Sequence, residues 1–353
     1  MTISDSLDQY ADICRDAIKK SSAKLNKSFE KLLIEILLLY MVIPRKINFT
    51  QMERYGSHCE QTYRSNFNRK RSECVNWLLF NLSLARRSLN MDGLLAVAVD
   101  PCFISKAGKK TAHIGTFWSG CSGAMKHGLE IMGLGLVDVM SNTCMMLRAH
   151  QTPGMSELRQ RNRSLVQHYI GVIRRYSGEL LKVTDIVVAD AYFSTSTFVG
   201  GIAACGFHLV SRFRDNADLR YLHTGPRTGK RGRPRLIDGK IDYTKLDLSR
   251  MEKLRIEGLE GKAYTLLAYS KALKQKVRLV IWIMPNRKHK LFFATKLTMT
   301  GEEVLRTYRS RFQIDVLSDE CMPACKSTRL ESHLGTGARK VGGVLFSQEL
   351  FGF

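Results

Sequence analysis

Apolar positions in the first part of the chain recur every three and four residues with no strand-like alternation, so residues 1–88 read as helical. The longest apolar run, Ile36 to Ile43, follows Glu35 and stops at Pro44. It is far shorter than the ~20 residues needed to cross a bilayer, so it predicts a buried helix and no membrane partner. Thr50-Gln51-Met52-Glu53 and Ser57-His58-Cys59-Glu60 both have the spacing of a capping box, with Gly56 between them, and predict a short helix, a tight turn and a second helix. From residue 94 the pattern changes to apolar runs of strand character: Leu94 to Val99, Ile131 to Val139, Thr143 to Leu147, then Ile186 to Ala189 and Phe207 to Val210. A helical stretch from about Ser156 to Tyr176 falls among them. Strands alternating with helices predict an α/β sheet with some parallel pairing, covered by helices, with active groups at strand ends.

After Val210 the regular pattern is interrupted. Residues 212–235 hold eight Lys+Arg and two Asp, and the Gly/Pro-broken run from Gly225 to Arg235 excludes a regular element. Residues 262–300 hold nine Lys+Arg and no acid, interleaved with strand-like Tyr264 to Tyr269, Val277 to Met284 and Leu291 to Ala294. Residues 212–298 therefore read as a basic β-rich insertion. Regular patterning resumes at a third capping box, Thr300-Gly301-Glu302-Glu303, followed by Val304, Tyr308, Phe312 and Val316 at four-residue spacing. Residues 316–353 have four Lys+Arg, four Asp+Glu, five Gly after His333 and no sustained period. The organisation expected is a helical domain over 1–88, an α/β core over 89–211 and 299–317, the insertion over 212–298, and an atypical tail over 318–353.

Charge sharpens this picture. The 353 residues carry 55 Lys+Arg against 32 Asp+Glu, a formal charge of +23, in a chain that is 44% hydrophobic. A folded body with that excess faces a polyanion. The second N-terminal helix would carry Gln61, Thr62, Arg64, Asn66, Arg69 and Lys70, in the manner of a helix-turn-helix DNA reader. A helical bundle with a solvated basic face fits the same residues. Lys230, Arg231, Arg233 and Arg235, set among turn formers, suit phosphate contacts that position DNA without reading it. No secretory leader pattern opens the chain, and its nine cysteines form no C-x-x-C pair, so the expectation is a cytoplasmic protein with reduced thiols.

Two carboxylates stand where apolar strands are expected to end: Asp100 after Ala96-Val97-Ala98-Val99, and Asp190 after Ile186-Val187-Val188-Ala189. Each alone reads as a cap or turn residue. As a pair beside buried strands they suggest a shared divalent-metal site, because a lone carboxylate there is costly without compensation. Tyr308, Arg311 and Asp315, spaced by three and four residues, project from one helix face. Other readings are weaker. Cys321, Cys325 and His333 supply three soft ligands and no fourth, His150 and His208 read as core or surface groups, and Trp282 reads as strand packing rather than base stacking.

These residues together resemble the DDE transposases of bacterial insertion sequences, in the group with a Tyr-x2-Arg-x3-Glu-x6-Lys signature. The likeness covers about residues 90–315. It includes Ala98-Val99-Asp100, Gly128-Leu129-Glu130-Ile131, Ala189-Asp190-Ala191-Tyr192-Phe193, the Lys230-Arg231-Gly232-Arg233-Pro234 turn and Tyr308-Arg309-Ser310-Arg311-Phe312-Gln313-Ile314. The resemblance implies a ribonuclease-H-like mixed sheet flanked by helices, with a β-rich insertion before its last catalytic helix and an N-terminal all-helical DNA-binding domain. It also implies a catalytic and metal-holding set at Asp100, Asp190 and Asp315 for two Mg²⁺ ions, for which Mn²⁺ can substitute, about 3.5–4 Å apart. Tyr308 and Arg311 would contact phosphates of double-stranded DNA at the element end, and a homodimer would pair two ends near the bacterial nucleoid. Two positions depart from the pattern. Residue 315 is Asp where the signature has Glu, and residue 322 is Met where it has Lys. Charge, period and likeness fail together there, which suggests a frameshift or end truncation, with Glu320 and Glu331 off the expected spacing for substitutes. A catalytically inactive remnant that binds DNA or inhibits intact subunits is the alternative.

Overall fold

The computed structural model describes residues 3–21, 24–44, 47–68, 74–107, 111–225 and 235–314. The protein is mixed α/β, with a twelve-stranded mixed sheet flanked by helices and preceded by a helical region. Its described residues divide into two compact parts. One comprises those up to 94, 98–168 and 313–314; the other comprises 95–97 and 169–312.

The first part begins with five helices, α1 (Ile3–Lys20), α2 (Lys27–Val42), α3 (Phe49–Tyr55), α4 (Glu60–Asn68) and α5 (Trp77–Ser88). Their shared core contains Cys14 and Ile18 of α1, Leu33 and Leu37 of α2, Tyr63 of α4 and Phe80 and Leu84 of α5. Burying each Leu or Phe contributes roughly 1.5–3 kcal/mol, and this packing holds helices too short to persist alone. Asn26, Asn48 and Asn76 start α2, α3 and α5 by accepting from the amides of Phe29, Gln51 and Leu79.

The two N-terminal capping boxes are corrected by this geometry. Asn48, two residues before Thr50, caps α3, so the Thr50 hydroxyl is free to donate to Glu60 Oε2 at 3.1 Å. Ser57 does not cap α4; its amide and hydroxyl donate to Glu35 Oε1 at 2.7 and 2.9 Å. Tyr63, fully buried, donates to the same oxygen at 2.5 Å. A carboxylate 22 residues upstream thus satisfies the turn better than the local hydroxyl could, and the α3–α4 geometry is fixed by tertiary contact. Gly56 leaves room for this: a Cβ there would lie 2.7 Å from the Met52 carbonyl oxygen.

The strands of the first part are β2 (Gly115–Ser119), β3 (Ala124–Asp138) and β4 (Thr143–Gln151), with α6 (Met155–Gln160) following, and β1 (Leu95–Ser105) enters it from residue 98. β3 lies between β1 and β2, and β4 pairs with it antiparallel from Ile131↔Gln151 to Asp138↔Thr143. β3 is buried continuously from Gly128 onward, as a strand covered on both faces must be.

The second part contains most of α7 (Leu165–Leu180), then β5 (Ile186–Ala189), α8 (Ser196–Ala203) and β6 (His208–Phe213). β5 and β6 pair in parallel from Ile186↔His208, a pairing that needs the crossover α8 supplies. Three short strands that the pattern does not predict, β7 (Leu219–Leu222), β8 (Ile237–Lys240) and β9 (Glu252–Leu254), precede the three expected after residue 262, which are β10 (Lys262–Ser270), β11 (Gln275–Ile283) and β12 (His289–Ala294). The order from β6 is β12, β11, β10, β7, β8, so these strands extend the sheet rather than forming a separate one. Trp282 packs as a strand residue, its indole N–H donating to the Glu260 carbonyl at 2.7 Å. The third capping box is present in full: Thr300 and Glu303 reciprocally bond each other's backbone amides at the start of α9 (Gly301–Ser310). Among the described residues no helix is long and apolar enough to cross a membrane.

Candidate functional site

In the second part, β5 is buried along its whole length and delivers Asp190 at its end. The Asp190 carboxylate caps a 3-10 turn, Ala191–Phe193, by accepting from the Tyr192 amide at 3.0 Å. Ser211 donates to the Asp190 carbonyl at 2.8 Å and Ser194 to the Arg212 carbonyl at 2.8 Å, tying this turn to β6. These bonds fix the turn that carries the side chain to the neighbouring strand.

Helix α9 packs across β5, β6, β12, β11 and β10. Its last turn brings Tyr308 and Arg311 to the same place. Tyr308 lies 5.0 Å, ring to ring, from Phe292. Arg311, 6% exposed, has its guanidinium carbon 4.6 Å from the Phe312 ring centroid and 5.9 Å from that of Tyr308. Of the four-residue stripe expected from Val304, Val304 and Tyr308 are buried and Phe312 is exposed, while Val316 lies outside the described residues.

Electrostatics mark Asp190 as under-compensated. Burial pushes its carboxyl above the ordinary 3.8, against the opposing pull of Arg311, the Tyr192 and Phe193 amides and Arg212. Burial likewise raises the Tyr308 phenol, which Arg311 and Arg212 pull back. Arg212, opposite Phe292 in the β6–β12 ladder, is the site residue that sequence reasoning passed over. Its Nε is buried and donates to no acceptor among the described residues. Its signal in the sequence was its place at the end of an apolar strand beginning the basic run.

Asp100 belongs to the first part and is corrected in one respect. It does not end its strand, because β1 continues to Ser105; it stands where the buried half of β1 gives way to partly exposed positions. Gly133 of β3 is close by: a Cβ there would lie 3.5 Å from the Asp100 carbonyl oxygen and 3.6 Å from Cδ1 of Ile314. Ile314, fully buried, also approaches the space beside Gly135, so two glycines of β3 accommodate the residue preceding Asp315. Glu130 of β3, 5% exposed, is a further buried carboxylate in this part.

Asp315, Arg69, Lys70, Lys230, Arg231 and Arg233 lie outside the described residues. Arg64 forms an i,i+4 pair with Glu60, and its guanidinium carbon lies 4.9 Å from the Phe49 ring centroid, so packing within the helical region engages it. Arg235 is mostly exposed and pairs with Asp238 at 3.3 Å. Among the described residues no three His, Cys, Asp or Glu side chains cluster as a metal site. The donor chemistry at Asp100 and Asp190 is carboxylate oxygen, which suits a hard divalent cation, and the raised Asp190 carboxyl is a group that such a charge would relieve. Comparison of the chain with protein-family models and with curated proteins finds no match.

Proposed function

We propose that the chain is a transposase-type enzyme that cleaves and joins DNA strands at the ends of an insertion sequence, using divalent metal held by Asp100, Asp190 and Asp315. The observation that carries this reading is the β5 end. There a partly buried, under-compensated carboxylate stands with a phenol, a largely buried guanidinium and a second arginine whose buried Nε has no acceptor among the described residues. Carboxylates for a metal and guanidinium forks for phosphate oxygens are what phosphoryl chemistry on a DNA backbone needs. A bound Mg²⁺ or Mn²⁺ pair would supply activation of a water or 3′-hydroxyl and stabilisation of the leaving oxygen. In this reading Arg212 and Arg311 hold the phosphate, Tyr308 orients Arg311, and the β5–β6 stitching keeps Asp190 in place. Double-stranded DNA is the substrate, two copies of the chain pair the two ends, and Arg64 and Arg235 add phosphate contacts.

A second reading is favoured by the sequence departures at Asp315 and Met322: an inactive remnant that binds DNA or inhibits intact subunits. Both readings expect DNA affinity to fall steeply with added salt. Only the enzyme nicks. Incubating duplexes that carry the element ends with Mg²⁺ or Mn²⁺ separates them, with Asp100→Ala as control. Nicking that vanishes in Asp100→Ala supports the enzyme. Binding without nicking supports the remnant. Absence of both metal uptake and duplex binding in dilute buffer overturns the proposal.

A further inference from the structure

Within the helical region a cavity of about 540 Å³ is lined by Lys20 of α1 and by Leu79, Leu82, Ser83, Arg86 and Arg87 of α5. None of the acidic candidates lines it. Ser83 is 7% exposed, and its hydroxyl is buried with no hydrogen-bond partner among the described residues. A hydroxyl desolvated in this way is costly unless an incoming group bonds to it.

The cations around it are unequally engaged. Lys20 and Arg87 share the Asp16 carboxylate, at 2.8 and 2.6 Å, and these two bonds hold that carboxyl below its ordinary value. Arg86 forms no ion pair among the described residues. Three positive charges against one negative leave the lining net positive, with two guanidinium forks beside the apolar Leu79 and Leu82.

We propose that this cavity binds the phosphate of a nucleotide, either a free mononucleotide or one unit of a DNA strand. Arg86 and Arg87 would clasp the phosphate oxygens, Ser83 would donate to the group entering deepest, and the leucines would cover the apolar face of sugar or base. A guanidinium pair matches the several oxygens of a phosphate better than it matches a single carboxylate at the end of a flexible side chain. The volume lies within the range of small-molecule sites and accommodates more than an inorganic ion. This inference stands on the cavity and does not depend on chemistry at Asp190.

The test uses the full chain in chelator, without divalent metal, so that failure of strand cleavage does not enter. Binding of thymidine monophosphate is measured by calorimetry and binding of a 20-base-pair duplex by fluorescence anisotropy, for the unaltered chain, Arg86→Ala, Ser83→Ala and the exposed control Arg159→Ala. We expect Arg86→Ala to weaken binding about 10-fold and Ser83→Ala about 5-fold, as loss of a charge-assisted and a neutral hydrogen bond would do. Thermal stability of Ser83→Ala should not fall, since the hydroxyl has no partner to lose among the described residues. Weakening confined to the mononucleotide assigns the cavity to a free nucleotide, and weakening confined to the duplex assigns it to a DNA strand. Arg86→Ala and Ser83→Ala no weaker than Arg159→Ala for both probes, or a Ser83→Ala chain that loses stability while binding is unchanged, overturns the site.

Discussion

Two aspartates close buried strands, one in each part of the molecule, and the fold treats them in opposite ways. Asp138 ends β3 and is 2% exposed, yet its carboxylate accepts from the amides of Asn90, Met140 and Ser141, and its carboxyl is held below the ordinary 3.8. Burial raises it, and the Ser141 hydroxyl together with the Ser141, Asn90 and Met140 amides overcomes that effect. Asp190 follows β5 and is left raised, because Arg311, the Tyr192 and Phe193 amides and Arg212 do not offset its desolvation. A strand-end carboxylate with donors enough to offset its burial ties a turn. One left short of donors is stabilised by whatever cation or proton arrives.

The largest expected effect separates the two directly. Asp190→Ala should lower metal-dependent nicking by about 10³-fold or more, as removal of an essential catalytic group does, while Asp138→Asn should leave nicking per folded molecule nearly unchanged. Equal losses in gel-based cleavage would erase the distinction. Next in size, Asp138→Ala should destabilise the chain by about 2–3 kcal/mol, read as a lowered urea midpoint, because buried amides lose their acceptor. A cost near zero would mean that the amides find solvent and the carboxylate is not a tie.

Smaller still is the acid response. Asp138 and Glu35 are held below their ordinary values of 3.8 and 4.5, so the folded state binds fewer protons than the unfolded chain. Their contribution is complete above those values and is lost as pH falls through them. Denaturation followed from pH 6 to pH 2 should therefore show a shallower decline for Glu35→Gln than for the unaltered chain. The opposite sign holds for Asp190, whose raised carboxyl costs stability once pH exceeds the ordinary 3.8. Asp190→Asn, which keeps a capping side chain, should raise the melting temperature slightly at pH 7. A clear drop in calorimetry would show that Arg212 and Arg311 depend on the charge more than burial penalises it.

Much of the element order was legible because periodicity reports burial directly. Ile186 to Ala189 reads as a strand and is one, and the strands expected at Tyr264–Tyr269, Val277–Met284 and Leu291–Ala294 and the Thr300 capping box fall where the pattern puts them. Local motifs failed where a distant partner competed. Ser57 had the spacing of a cap, but the Glu35 carboxylate accepts its amide and hydroxyl. Asp100 was read as a strand end because the apolar run stops there, whereas β1 persists to Ser105, as extended backbone does not require apolar side chains. Arg212 was missed because an arginine at the head of a basic run looks like any other until its buried Nε is seen without an acceptor among the described residues.

The sequence alone determined the excess of positive charge, the helical start, the alternation of strand and helix, and the candidate acids, because composition and period are properties of the chain read in order. Tertiary structure alone decided which carboxylate is satisfied, which arginines converge on Asp190 and which serine lining a cavity has no hydrogen-bond partner among the described residues. Desolvation and hydrogen bonding depend on neighbours brought from far along the chain, and no local pattern encodes their distance.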